Sequence, residues 1–291
     1  MSIKLVASDL DGTIIDKNNK ISSKNFEMID QLHKNNIVFT ICTGKSYSVS
    51  KKICEQFNAE YGVFGNGTQI IEFNTQKEIW KNTLSKETLL FCVTLAKRFG
   101  FHIHLYTENE IITEKLEYMD LRNFKLKSQN STNNLKFKII KNMITYLENH
   151  NLDVFSLVIS TEKSSLKEFE NILSINQNLV HTFINKRGKY KDNIINKDYE
   201  YINISPLNIN KNEALNFLSN YLNIDKSDMM AIGDNVNDLE MVKNSGIGVA
   251  VSEAYDELKQ VATYVTKASV TDGAFAEAIE KYNATKLNFS L

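Results

Sequence analysis

Ile3-Lys4-Leu5-Val6-Ala7-Ser8-Asp9-Leu10-Asp11-Gly12-Thr13 decides the reading of this chain. The apolar run over 3–7 predicts a buried strand, and it leads directly into two aspartates. Two ionised carboxylates at a buried strand's end must have their charge offset by a cation or a shared proton. The pair therefore predicts a bound metal or a strongly shifted pKa. In an open α/β sheet, the carboxyl end of a strand is also where ligands sit.

Outward from this stretch, the first third alternates strand and helix. A helix near 23–35 precedes the apolar run 37–41, which ends at Thr43-Gly44. A helix near 46–57 and a strand over 61–64 follow, ending at Gly65-Asn66-Gly67. The last third repeats the pattern. A helix over 211–222, opened by Lys211, precedes the strand 229–232 and Gly233-Asp234. Then come helix 236–244, strand 247–251, helix 254–262, strand 263–266 and helix 273–282. Repeats of this length imply right-handed crossovers and a parallel sheet.

The middle differs. Phe101-His102-Ile103-His104-Leu105-Tyr106 alternates with period two, as a half-buried antiparallel strand does. Further strands are expected over 153–160 and 179–184, separated by helices near 86–99, 139–148 and 165–174. Ser165-x-x-Glu168 reads as a capping box, and the polar segment 186–198 as a hinge or surface loop. The expected organisation is a doubly wound α/β core over 1–83 and 196–291, with an α+β module inserted over 84–195.

Composition narrows the function classes. With 34 basic and 35 acidic residues the net charge is -1, so nothing global argues for nucleic acid or an anionic membrane. The cysteines, Cys42, Cys54 and Cys92, are odd in number and lack CxxC spacing. That favours a reducing, cytoplasmic setting over a disulfide framework. Cys42 lies in an apolar run and reads as packing. No signal peptide is expected before Asp9, and no segment approaches the roughly 18 apolar residues of a membrane helix. The Asn130-Ser131-Thr132 triplet follows from a chain rich in Asn and implies no glycosylation.

Four predicted strand ends carry chemistry: Asp9/Asp11, Thr43/Gly44, Asn66/Gly67 and Asp234/Asp238. A hard dication would take Asp9, Asp234 and a backbone carbonyl. A phosphate would take Thr43, Gly44 and Lys211. Rival motifs fail. An EF-hand needs glycine at its sixth position, whereas Gly12 stands fourth from Asp9. Gly44-Lys45-Ser46 ends like a P-loop, but Phe39 stands where its first glycine belongs. Thr43 has a bland reading as a helix cap, Lys211 as a solvated lysine and Asn66-Gly67 as a turn pair. His102 and His104 share a strand face with no third ligand evident, which favours sheet packing over metal binding. Trp80 reads as core or hinge packing.

The set resembles the haloacid dehalogenase superfamily, in its Cof-like branch of phosphatases with a large α/β cap. Asp9-Leu10-Asp11-Gly12-Thr13 matches the first motif, Thr43-Gly44 the second, Lys211 the third and Gly233-Asp234-Asn235-Val236-Asn237-Asp238 the fourth. Asn66-Gly67 is similar to the branch's substrate loop. Two positions depart: Lys45 stands where Arg is common, and Asn212 where Gly is common. Both leave substrate contacts open.

The resemblance implies a Mg2+-dependent phosphomonoester hydrolase with an aspartyl-phosphate intermediate. Its substrate would be a small phosphorylated metabolite, with sugar phosphates as the leading class. Asp9 would be the nucleophile, and Asp11 the general acid and then base. Asp9, the Asp11 carbonyl and Asp234 would hold the metal, with Asp238 ordering its water or Lys211. Leu10, Thr43, Gly44, Lys211 and Asn237 would hold phosphate, and Asn66 and Gly67 the substrate. Two alternatives stay open: a phosphomutase of the same superfamily, and a non-catalytic phosphosugar-binding regulator.

Overall fold

The expected first strand forms over β1 (Leu5–Ser8), and all of its residues are buried. Continuous burial on both faces explains why it reads as an unbroken apolar run. The computed structural model describes residues 3–18, 20–115, 136–161, 166–175, 181–186 and 200–283. After β1 come α1 (Ser23–Lys34), β2 (Val38–Cys42), α2 (Tyr47–Gln56), β3 (Tyr61–Phe64), β4 (Gln69–Glu72) and β5 (Lys77–Lys81). The middle holds α3 (Lys86–Phe99), β6 (His102–Tyr106), β7 (Glu110–Thr113), β8 (Lys136–Ile139), α4 (Met143–Asn149), β9 (Ser156–Thr161), α5 (Leu166–Ile175), β10 (His181–Lys186) and β11 (Glu200–Ser205). The last part holds α6 (Lys211–Leu222), β12 (Met229–Gly233), α7 (Leu239–Asn244), β13 (Ile247–Ala250), α8 (Asp256–Val261), β14 (Tyr264–Val265) and α9 (Ala274–Asn283).

The chain divides into two units, Met1–Lys81 with Asn210–Leu291, and Asn82–Ile209. The first contains a sheet in the order β14-β13-β12-β1-β2-β3-β4-β5. From β14 to β3 the pairing is parallel, as the strand–helix alternation requires. β4 and β5 extend it as an antiparallel ribbon that sequence reading left unassigned. Its apolar core includes Leu5, Val6, Phe39, Ile41, Val63, Ile232 and Phe275.

The second unit has a sheet in the order β10-β11-β9-β6-β7-β8, antiparallel except for the β7–β8 pair. Ile103, Leu105, Leu157, Ile159, Ile202 and Ile204 belong to its core with Val93 and Phe169. β11 pairs with both β10 and β9, so this unit runs on to Ile209 instead of ending at 195. The helix expected over 139–148 begins only at Met143, because 136–139 pairs as β8. Residues 187–198 of the expected hinge, Ser165 of the expected capping box and the Asn130-Ser131-Thr132 triplet lie outside the described residues.

Among the described residues, no helix is long and apolar enough to cross a membrane. Cys42, Cys54 and Cys92 are free and buried, and burial pushes each thiol up, as packing residues require. His104 is 4 % exposed, and neither ring nitrogen has a hydrogen-bond partner. Burial, aided by His102, lowers its pKa to about 4, so it packs as a neutral ring.

Candidate active site

Strand order reverses at β1: β2 and β3 lie on one side, and β12, β13 and β14 on the other. Such a switch point opens a crevice at the carboxyl ends of the strands. Asp9 follows β1 and Asp234 follows β12, and the Asp9 amide donates to the Ile232 carbonyl at 2.9 Å. Paired strands lie only about 5 Å apart. Two acids 225 positions apart in number (234 − 9) are thereby brought together. Carboxylate oxygens of Asp9, Asp234 and Asp238 all lie within 4.8 Å of one another.

Lys211 completes this cluster. It is the first residue of α6, which Asn210 caps by accepting from the Glu213 amide at 2.9 Å. A cation there opposes the helix dipole. Two carboxylates outweigh that field: Lys211 Nζ donates to Asp9 Oδ1 at 2.5 Å and to Asp238 Oδ1 at 2.6 Å. The lysine is 1 % exposed, which disposes of its reading as a solvated side chain. Asp238 is fully buried, and its other oxygen accepts from the Asp234 and Asn235 amides, each at 3.0 Å. Both oxygens of Asp238 are thus committed, and it serves to hold Lys211 and the turn after β12. Asp9 and Asp234 are the pair better placed to hold a metal.

One ammonium stands against three carboxylates, and the acids register the excess. Burial first, then Asp238 and Asp234, push Asp9 well up against the pull of Lys211. Burial and Asp238 push Asp234 up to about 6. Burial draws Lys211 down, but Asp238 and Asp9 together hold it above its ordinary value and keep it charged. An all-oxygen, electron-rich donor set of this kind fits a hard dication such as Mg2+. Thr13 adds a hydroxyl that donates to Asp234 Oδ1 at 3.3 Å.

Asp11 is exposed, and its Oδ1 meets Lys45 Nζ at 2.6 Å. Between the two acids of the first motif and Asp234, Gly12 has φ +87°, and a Cβ there would collide with the Asp234 carboxylate. Only glycine lets the loop turn so close to that acid. Leu10 is 1 % exposed as a whole residue and packs in the core beneath the loop.

The next two strand ends form the adjoining wall. Thr43 is anchored by its amide to the Val63 carbonyl (2.8 Å), and its carbonyl accepts from the Asn66 amide (3.1 Å). Its hydroxyl oxygen accepts from the Lys45 amide at 3.1 Å, whereas Ser46 is the N-cap of α2; the capping role falls away from Thr43. Asn66 adopts the left-handed region (φ 56°) and accepts from Asn237 Nδ2 at 2.9 Å. A Cβ on Gly44 would stand 3.1 Å from Asn66 Oδ1, tight for any side chain. Trp80 Nε1 donates to the Gly67 carbonyl at 2.9 Å, and its ring packs 4.6 Å from that of Phe217 in α6.

Thus Asp9, Asp234, Asp238 and Lys211 form one cluster, and Asn66 and Asn237 meet each other. Asn212 does not join them; it donates to Glu213 Oε1 at 3.3 Å. Thr13, Lys45 and Trp80 are structural partners to which sequence reading gave no role in the site. Thr13 carried a signal as the last residue of the first motif, and Lys45 as a departure from the second.

Comparison with known proteins identifies the family. Residues 6–279 match the family described as haloacid dehalogenase-like hydrolase. The chain is similar to the 5-amino-6-(5-phospho-D-ribitylamino)uracil phosphatase YcsE of Bacillus subtilis, at 25% identity over 97% of this chain and 96% of that one. It is also similar to the HMP-PP phosphatase of Serratia proteamaculans, at 24% identity over 89% and 87% of the two chains. A crystal structure of a haloacid dehalogenase-like hydrolase from Bacteroides thetaiotaomicron shares the fold, with a TM-score of 0.78 and 24% identity over 96% and 99% of the chains. On its motifs, its strand order and this match along nearly its whole length, the chain belongs to the haloacid dehalogenase-like hydrolases.

Proposed function

We propose that this hydrolase is a Mg2+-dependent phosphatase that cleaves small phosphorylated metabolites, sugar phosphates foremost, through an aspartyl-phosphate. The observation that carries the reading is the buried Lys211 bridging Asp9 and Asp238 within reach of Asp234. Asp9 and Asp234 would hold the dication, which when bound supplies positive charge that screens the nucleophile from an incoming phosphate.

Lys211 fixes one oxygen of Asp9 and so aims the carboxylate. As the Asp9–phosphorus bond forms, the bond to the leaving oxygen breaks and Asp11 gives that oxygen its proton. Asp11 then takes a proton from the water that attacks the aspartyl-phosphate, releasing inorganic phosphate and restoring Asp9. The Thr43 hydroxyl, the Gly44 amide and the Asn237 amide group orient the phosphoryl oxygens. Most of the acceleration in such transfers is positioning and charge stabilisation. The substrate class draws on YcsE, whose name specifies a phosphorylated ribityl chain, and on the HMP-PP phosphatase.

The test is phosphate release from a panel of phosphorylated sugars, nucleotides and cofactors, with and without Mg2+. Metal-dependent release is expected, and it should vanish in Asp9→Asn. Turnover in that variant within about tenfold of wild type would exclude Asp9 as nucleophile. Tight binding without hydrolysis would favour a regulator, and an isomerised product would favour a mutase.

A further inference from the structure

We infer that Lys45 is the positioning residue for the leaving-group proton: it holds the Asp11 carboxyl in the orientation from which that proton is delivered. The inference rests on the proposed role of Asp11 as general acid. Lys45 Nζ lies 2.6 Å from Asp11 Oδ1. The lysine stem starts from backbone tied on both sides. Its amide donates to Thr43 Oγ1 at 3.1 Å, and its carbonyl accepts from the Gly65 amide at 2.9 Å. The ammonium therefore reaches Asp11 from a point fixed by β2 and β3.

The bond suits both halves of the reaction. When Asp11 carries its proton on Oδ2, Oδ1 is a carbonyl oxygen and still accepts from Lys45. Once the proton has passed to the departing oxygen, the same Oδ1 belongs to a carboxylate and accepts more strongly. The carboxyl plane is held while the proton leaves and returns, as general acid–base catalysis needs. The side chains are 41% and 47% exposed, so the pair adds little to stability. Its effect should be seen in rate.

The experiment compares kcat/KM for two substrates. p-Nitrophenyl phosphate expels a leaving group that needs no proton. Ribose 5-phosphate, or whichever alkyl phosphate the screen finds fastest, expels an alkoxide that does. Because kcat/KM reports the steps through transfer to Asp9, later hydrolysis does not obscure the comparison. Lys45→Met should lower the alkyl value at least about tenfold more than the aryl value. Lys45→Arg, which keeps the cation, should restore most of the loss, and the melting temperature should stay within about 2 °C. An equal loss with both substrates would make Lys45 a phosphate contact and overturn the inference; so would no loss with either. Asp11→Asn separates the two levels. If it lacks the alkyl-over-aryl bias, the reading of Asp11 as acid fails. If it shows that bias and Lys45→Met does not, only the assignment of Lys45 fails.

Discussion

Lys211→Met is the substitution that most directly probes the electrostatics of the site. Methionine keeps much of the lysine stem and removes the ammonium that contacts Asp9 at 2.5 Å and Asp238 at 2.6 Å. Asp9 is 6 % exposed and Asp238 is fully buried, so neither recovers hydration in the folded state. Removing one partner of a buried ion pair costs about 3–5 kcal/mol. Asp9 relieves part of this by taking up a proton, since burial already pushes its carboxyl up. The lower end, about 3 kcal/mol, is the expected loss. For a unit of this size each kcal/mol lowers the midpoint by roughly 2–4 °C, so the melting temperature should fall by about 6–12 °C. Trp80 is the chain's single tryptophan and lies in the first unit, so its fluorescence follows that unit's unfolding. Adding Asp238→Asn removes one stranded charge and keeps an acceptor for the Asp234 and Asn235 amides. The double variant should therefore melt above the sum of the two single losses. A single-variant midpoint within about 2 °C of wild type, or strict additivity, would refute the claim that this lysine's charge is what makes the buried acids tolerable.

Four further outcomes are expected. Gly12→Ala forces an L-residue to φ +87° against the Asp234 carboxylate, so it should cost about 1–3 kcal/mol in urea unfolding and about a hundredfold in turnover; turnover within threefold of wild type would contradict this. Mg2+ at about a hundred times its dissociation constant should stabilise the wild type by about 2.7 kcal/mol in a thermal melt. Asp234→Asn should lose most of that gain, and an equal gain in both proteins would remove Asp234 from the metal site. His104 has a folded pKa of about 4 against an ordinary 6.5, so the unfolded chain binds more protons between those values. Stability should therefore fall as pH drops from about 6.5 to 4, by up to about 3 kcal/mol; His104→Leu should flatten that slope, and an unchanged slope would refute the assignment. Trp80→Phe removes the donor to the Gly67 carbonyl and should raise KM with kcat little changed, whereas a fall in kcat alone would tie that loop to the chemical step.

Residues whose environment is continuous along the chain were legible, and residues whose environment is assembled from distant segments were not. β1 could be read because a central parallel strand is apolar on both faces and its acids begin where the strand ends. β4 escaped because Ile70 and Ile71 are both buried, which breaks the alternation that signals a two-faced strand. β5 is an edge strand with Lys77, Glu78 and Lys81 among its five residues, the composition of a protected edge rather than of a core. β11 does alternate, burying Ile202 and Ile204, but the polar segment before it drew the expected boundary to 195. In the site, the identity of each acid was legible from its motif. The burial of Lys211 was not, because it depends on partners 202 and 27 residues away. The Asn66–Asn237 hydrogen bond, across 171 residues, has no local signature at all.

Under the proposed function, the charges of the cluster require a cation and a phosphate to bind together. Asp9, Asp234 and Asp238 contribute three negative charges when ionised and Lys211 one positive, leaving the cluster a net two negative charges with that of Asp9 included. A phosphate ester adds further negative charge at the same point, and the remaining wall offers little to balance it. Thr43 and Asn237 are neutral donors, and Lys45, the nearby cation, is already paired with Asp11. In the proposed reaction, Asp9 and Asp234 would hold a dication whose charge would bring the cluster to neutrality, and Lys211, Thr43 and Asn237 would then orient the ester without opposing its approach. The fold supplies the means at the β1–β12 junction, where adjacent strand ends set two acids side by side and the first residue of α6 sets a lysine against them.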